Sequence, residues 1–308
     1  MKNKILSYLN NSFRAFGFFD KDVDLTVHTK IIGIVRTCLV LNLFTNLAFT
    51  KNFVFFPATV RIDAIFFGIP NFFQVFGTSN TTIIFVCLFL VFVIVGYLPQ
   101  LTGIIHAWIA TSFFMSARLV EGGDQIAQIL TILLIPVTLT DKRINHWHSK
   151  DYFGYHQPEV VQFFSFSCLL IIRLQIAIVY LFSAAVKISK DFWIDGTAIY
   201  YWFVHIPFGL VSPLDTLLYP FISNTYFCAF LTWGVLVLEF TLFAALFSRY
   251  SQRPLLFVLA ISFHIMIIIV HGLWAFFFAM LAGLIVYLLP WNNSQKQAMY
   301  GELKMNNY

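Results

Sequence analysis

Charge is what this chain has least of: 14 Asp and Glu and 19 Lys and Arg in 308 residues, or 11% charged, where a soluble domain carries about 25%. So few charges cannot coat a water-exposed surface, which excludes an ordinary soluble fold. Cysteine is scarce as well. Cys38, Cys87, Cys168 and Cys228 lie in or beside apolar runs and show no C-x-x-C spacing, which excludes a zinc ribbon and a disulfide scaffold. The sequence holds no G-x-S-x-G, H-E-x-x-H or P-loop string, so the common serine hydrolase, zincin and ATPase signatures are missing. Internal repeats, low-complexity tracts and blocks of like charge are also missing. The first thirty residues are polar and mixed, with no small-residue cleavage site after the first apolar run. The first span is therefore expected to act as its own insertion signal.

What is abundant is oil. Hydrophobic residues make up 59% of the chain, with 38 Phe and 13 Tyr, and the mean hydropathy is +0.81. A spanning helix needs roughly 20 mostly apolar residues, because the hydrocarbon layer is about 30 Å thick. Runs near 31–50, 81–97, 100–118, 125–140, 162–187, 226–247, 254–271 and 272–289 meet that length or approach it. The predicted fold is all-α: a polytopic transmembrane bundle of about eight spans. Residues 1–30 form a cytoplasmic or interfacial segment, 31–290 the membrane domain and 291–308 a cytoplasmic tail. Within the first segment, ILSYLNNSFRAFGFF has the composition of a helix lying flat on the inner leaflet.

The net charge of +5 would suggest nucleic acid in a soluble protein, but here it reports topology, and no nucleic acid partner is expected. With the N-terminus inside, the inner segments hold twelve Lys and Arg, from Lys2 to Lys304. The outer segments hold five: Lys51, Arg61, Arg118, Lys187 and Lys190. The remaining two, Arg36 and Arg173, fall inside spans. That bias places both termini in the cytoplasm. Two outer loops, 51–80 and 188–225, are long and aromatic and are expected to sit at the headgroup level.

Ionisable groups at membrane depth cost roughly 2.5–3.5 kcal/mol at a helix centre, so each needs a reason. Arg173, Tyr180 and Lys187 recur every seven residues, with Ser183 beside Lys187, and so share one helix stripe. Lys187 is either a base or anion contact near the outer surface, or a snorkelling side chain. Glu121-Gly122-Gly123-Asp124-Gln125 opens the fourth span. Asp124 is either an acid or base in a glycine-lined cleft or the N-cap of that helix. Glu239 and His264 lie mid-span, Glu239 being the expected partner of Arg36 or Arg173. His264 and His271 share a face but stand roughly 10 Å apart along the axis, too far to bind one metal. His146-Trp147-His148 and His156 read as solvated loop, so no metal site is expected.

Longer strings carry a resemblance. RLQIAIVYLFSAAVKISKDFWIDGTAIYYWF, residues 173–203, resembles the signature of the HTTM membrane domain, the family that includes vitamin K-dependent gamma-carboxylase. GYLPQLTGIIHAW and EGGDQIAQILTILLIPVTLTDKRINHW, residues 96–108 and 121–147, are similar to its sporulation-delaying protein B branch. The branch implies a bacterial, multi-pass protein of the cytoplasmic membrane that helps convert a secreted toxin precursor to its mature antimicrobial peptide, alongside a small co-encoded partner protein. Lys187, Trp193, Thr197, Tyr200 and Tyr201 match the HTTM string. The carboxylase's catalytic lysine and histidine positions are occupied here by Ile188 and Asp124. A quinone is the cofactor the resemblance leaves open. The expected cleft faces outward between the fourth and fifth spans, with Arg118, Asp124 and Gln125 on one wall and Lys187, Trp193, Tyr200 and Tyr201 on the other. Lys187, Asp124 and His264 are the candidates for chemistry; Arg173, Tyr180 and Thr197 are expected to contact substrate. The rival readings are a quinol-dependent membrane enzyme and a non-enzymatic export or immunity protein.

Overall fold

A computed structural model describes residues 26–56, 65–66, 68–148, 159–204 and 209–305. The expected surface helix in 1–25 and His156 lie outside these residues. The architecture is helical throughout. The one exception among the described residues is a two-residue antiparallel hairpin, β1 (Ile65–Phe66) with β2 (Ile69–Pro70). The main helices are α1 (Lys30–Phe49), α2 (Asn80–Val95), α3 (Pro99–Ser116), α4 (Gly122–Leu133), α5 (Ile135–Leu139), α6 (Glu159–Ile188), α7 (Ala198–Val204), α8 (Leu214–Ile222), α9 (Thr225–Ala244), α10 (Arg253–His271), α11 (Trp274–Leu288) and α12 (Asn293–Met305).

Several boundaries follow from local chemistry. Ser79 accepts a hydrogen bond from the Thr82 N–H to open α2, and Asn224 does the same for the Phe227 N–H to open α9. Pro99 occupies the first position of α3, where its missing N–H costs nothing. Pro136 cannot donate to the turn before it, and α4 breaks from α5 at Leu134.

Among the described residues, five helices are long and apolar enough to cross a membrane: Lys30–Phe49, Gly122–Leu139, Val161–Ile188, Thr225–Phe247 and Arg253–His271. Asn80–Val95 and Trp274–Leu288 are apolar but shorter. The α3 helix has the length but carries Thr102, His106, Thr111 and Ser112, all buried. The burial pattern is that of a membrane protein. Large apolar side chains such as Phe85, Phe182, Phe230, Val237 and Leu255 face outward, each more than half exposed, while Arg36, Asp124, Arg173, Glu239 and His264 are buried. Lipid tolerates the first set and expels the second.

The helix α11 is the axis of the bundle. It runs antiparallel along α1 and also packs on α4, α6 and α10, while α9 lies along α6. Close approach of α4 and α11 needs Gly123, since a Cβ there would stand 2.6 Å from the Phe276 Cα. A second core, between α1, α2 and α3, is closed by Phe55 and Phe56 packed edge to face on Phe113, with Phe73 tilted against Phe56. The end where α1 finishes and α4 begins is called distal below. The opposite end, reached by residue 26 and α12, is called terminal.

The terminal end corrects one expectation. Residues 142–148 are not wholly a solvated loop: Lys142, Ile144 and His148 are exposed, but Arg143, Asn145 and His146 are buried. His146 is fully buried and accepts at Nδ1 from Arg36 Nη1 (2.8 Å), while Arg36 Nη2 donates to Thr102 (2.9 Å). Burial, with Arg36 and Arg143 nearby, pushes the His146 imidazole down to about 3, so it stays neutral and serves as an acceptor. Arg143 pairs bidentately with Asp141, Nε and Nη2 reaching the two oxygens at 2.8 and 2.7 Å. Gly96, at φ +97°, brings the chain against this loop, and a Cβ there would lie 2.7 Å from Trp147. A buried cation on α1 recruits His146, which is why that histidine folds inward while His148 stays exposed.

Candidate functional site

Two polar clusters occupy the distal half of the bundle. The first is built around Asp124. Asn42 and Asn46, one turn apart on α1, both donate to Asp124 Oδ1 at 3.2 and 2.7 Å, and Asn42 also donates to the Ala275 carbonyl at 3.0 Å. The Glu121 N–H donates to Asp124 Oδ2 at 3.0 Å. Asp124 is thus in the third position of α4 and not its N-cap, because the helix starts at Gly122, three residues earlier than the apolar run suggested. Its carboxylate still satisfies a backbone donor at the helix start, where negative charge is favoured.

This carboxylate forms the floor of an open cleft of about 820 Å3. The end of α1 (Thr45, Asn46, Phe49, Thr50), the segment Leu119–Val120–Glu121 and the α10–α11 turn with Trp274 and Phe278 form its walls. A groove with Lys51, Asn80 and Ile84 shares Phe49 and Thr50 with it. The cleft is mostly apolar with a few convergent polar groups, the usual composition of a binding site.

Glu121 stands at the rim of the cleft. Burial, reinforced by the Asp124 charge and only partly offset by the Phe276 backbone amide, pushes its carboxyl from 4.5 up to about 7. The folded protein therefore binds this proton more tightly than the unfolded chain does. The contribution of Glu121 to stability is greatest below about 4.5, falls as pH rises from there to about 7, and is flat above. Glu121→Gln is expected to remove that slope. Thermal unfolding of both proteins between pH 4.5 and 7.5 measures it, and parallel curves would refute it.

The second cluster joins α6 to α9. Lys187 Nζ donates to both oxygens of Glu239 at 2.7 and 2.9 Å and to Ser183 Oγ, and Ser183 donates to Glu239 at 2.9 Å. The ammonium also lies 5.4 Å from the Trp193 ring centroid. One helical turn deeper, the Tyr180 hydroxyl and His264 Nε2 are 3.0 Å apart, both buried. Phe276 packs against Gly123 on one side and the His264 ring on the other.

These positions change several expectations. Glu239 pairs with Lys187 and not with Arg36 or Arg173. Arg36 is held by His146 and Thr102, while Arg173 donates to the Val286 carbonyl at 3.0 Å and stacks 3.7 Å over Trp291. The expected wall of Lys187, Trp193, Tyr200 and Tyr201 does not line the Asp124 cleft, where Leu273, in the turn before α11, and Trp274, its first residue, form the wall instead. Arg118 and Gln125 are exposed and also do not line it. Trp193 is buried, Thr197 donates to the Phe192 carbonyl, and Tyr200 and Tyr201 pack edge to face. That string folds its own segment onto α9, aided by the Ile199 N–H bonding to Thr232 and Trp233 bonding to the Ile194 carbonyl.

Asn42 and Asn46 were missed in the sequence. Their signal was present: two amides at i and i+4 in an otherwise apolar run share a face, and lipid would expel both.

No family model matches the chain, and no solved structure matches it. Two curated proteins of Bacillus subtilis (strain 168) do. The uncharacterized protein YitO is 33% identical over 201 residues, covering 65% of this chain and 64% of the relative. Sporulation-delaying protein SdpB is 35% identical over 201 residues, covering 65% of this chain and 61% of the relative. The matched region spans less than two thirds of either relative. The chain is homologous to SdpB, whereas the carboxylase likeness rests on the residue strings alone.

Proposed function

We propose that this chain is a multi-pass protein of the bacterial cytoplasmic membrane that takes part in maturing a secreted toxin peptide, with a small co-encoded protein as partner. The 35% identity to sporulation-delaying protein SdpB carries the reading. In this reading α1, α2, α3, α4 with α5, α6, α9, α10 and α11 are eight spans, both termini are cytoplasmic, and the distal cleft opens outward. The cleft's chemistry supports the role. Phe49, Phe55, Trp274 and Phe278 offer an apolar bed, and Asp124 and Glu121 lie at its base and rim. Such a surface suits a hydrophobic peptide bearing a cationic group.

A quinol-dependent reaction is less well served. A base must reach the proton it removes, but Lys187 is spent on Glu239 and Ser183, and its neighbour is Ile188. The residues present do not fit the carboxylase's use of a quinol.

Deleting the gene beside an intact toxin-precursor gene is expected to remove the mature peptide from the medium while the precursor persists, as read by mass spectrometry. Mature peptide in undiminished yield would sink the proposal. Toxin resistance conferred by this gene alone would favour an immunity role instead.

A further inference from the structure

The terminal end holds a group of donors that neither the distal cleft nor the helix pairing uses. Arg173, in the interior of α6, and Arg253, the first residue of α10, are both more than nine-tenths buried. Each is only partly satisfied. Arg173 gives Nε to the Val286 carbonyl (3.0 Å), is hydrogen-bonded to the Tyr250 side chain and stacks on Trp291. Arg253 gives Nη2 to the Ser248 carbonyl (3.3 Å) and stacks 4.3 Å over Tyr250. Among the described residues Arg173 Nη2 and Arg253 Nε and Nη1 find no acceptor, and neither do the Ser251 hydroxyl and the Trp291 indole N–H.

The two guanidiniums repel one another across Tyr250. The ion pairs among the described residues are Arg143 with Asp141 and Lys187 with Glu239, so neither Arg173 nor Arg253 has a carboxylate partner. Glu302, which reaches this end, is engaged by the Ser251 N–H at 2.8 Å. Burying two like charges is costly unless an opposite charge joins them. A carboxylate from the protein would serve, but none among the described residues does. The unmet groups are all donors, two of them guanidinium forks whose planar geometry matches the oxygens of a phosphate.

We propose that Arg173 and Arg253, with Ser251 and Trp291 beside them, form a binding site for a phosphate-type anion at the terminal end of the bundle. The anion is either a phospholipid headgroup or a soluble phosphate. Leu255, Val258 and Leu259 on α10 are exposed just beyond Arg253, an apolar track along which an acyl chain can lie. Basic pockets between helices at a membrane surface take headgroups in this way. The site is independent of the toxin reading.

The full chain, purified in a neutral detergent, is melted with increasing phosphatidylglycerol, phosphatidylcholine or inorganic phosphate. The expected result is a saturable rise in Tm with phosphatidylglycerol, and at least a tenfold weaker apparent affinity in Arg253→Gln. Arg253→Lys, which keeps the charge but loses the fork, should fall between. The same rise with inorganic phosphate alone would assign the site to a soluble anion. If neither anion raises the Tm of the wild-type protein, or if Arg253→Gln responds as the wild type does, the site does not exist. The wild-type titration decides the matter even if a variant fails to fold.

Discussion

Asp124→Ala is expected to lose maturation of the secreted peptide almost completely and to destabilise the distal end by about 2–5 kcal/mol. The number follows from what the carboxylate holds. Asn42 and Asn46 converge on Oδ1 and the Glu121 N–H on Oδ2, and a buried donor left without its acceptor costs about 1–3 kcal/mol. Asn42 keeps its bond to the Ala275 carbonyl, so the losses do not simply add. The functional loss is larger than the stability loss because the same three contacts set the floor of the cleft. Asp124→Asn separates the two effects. An amide has one oxygen, so it serves either the asparagines or the helix start, and its NH2 group then faces another donor. Its unfolding transition should lie between wild type and Asp124→Ala, with peptide yield still low. Thermal unfolding in detergent and mass spectrometry of the medium read the two quantities. Full peptide yield from a folded Asp124→Ala protein would show that the cleft is not where the peptide is handled.

The helical class and most helix positions were legible in the sequence because they rest on one dominant force. Apolar runs of membrane length have few other places to go, and the limits near 31–50, 162–187 and 254–271 agree with α1, α6 and α10. Pairing was less legible. The sequence shows that Glu239 must have a cation but not which of Arg36, Arg173 and Lys187 meets it, since that depends on how α6 and α9 register against each other. The lysine at the distal end of α6 won because α9 runs alongside it and places Glu239 there. His146 was misread for a related reason: a loop rich in charge and histidine reads as solvated unless one knows that Arg36 lies beneath it. The Asp124 cleft is walled by the end of α1 and the α10–α11 turn and not by Lys187, Trp193, Tyr200 and Tyr201, because α11 lies along α1, a pairing that apolar runs do not reveal. The sequence did single out Asp124 and Lys187, since a charge in an apolar run is conspicuous whatever its partner.

The pairing of Lys187 with Glu239 sets up the second large effect. Glu239→Ala is expected to cost about 3–5 kcal/mol, the range for breaking a buried ion pair by removing one partner. Glu239 is the more deeply buried of the two, its side chain 4% exposed against 23% for Lys187. Lys187→Ala should therefore cost less than that range, because the side chain removed is the more exposed of the two and the Glu239 carboxylate keeps the Ser183 hydroxyl as a donor. Lys187→Met with Glu239→Leu should be milder than Glu239→Ala, since an apolar pair of similar volume avoids desolvating any charge. The double-mutant cycle built on Lys187→Met, Glu239→Leu and the two combined then shows strong coupling between the two positions. Thermal unfolding of the four proteins in one detergent measures it, and additive effects would show that the pair contributes no joint stability. A coupled pair would also mean that the lysine serves to dock α6 on α9. The same lysine would then be unavailable as a base, which is the physical reason to look for the protein's function in the Asp124 cleft.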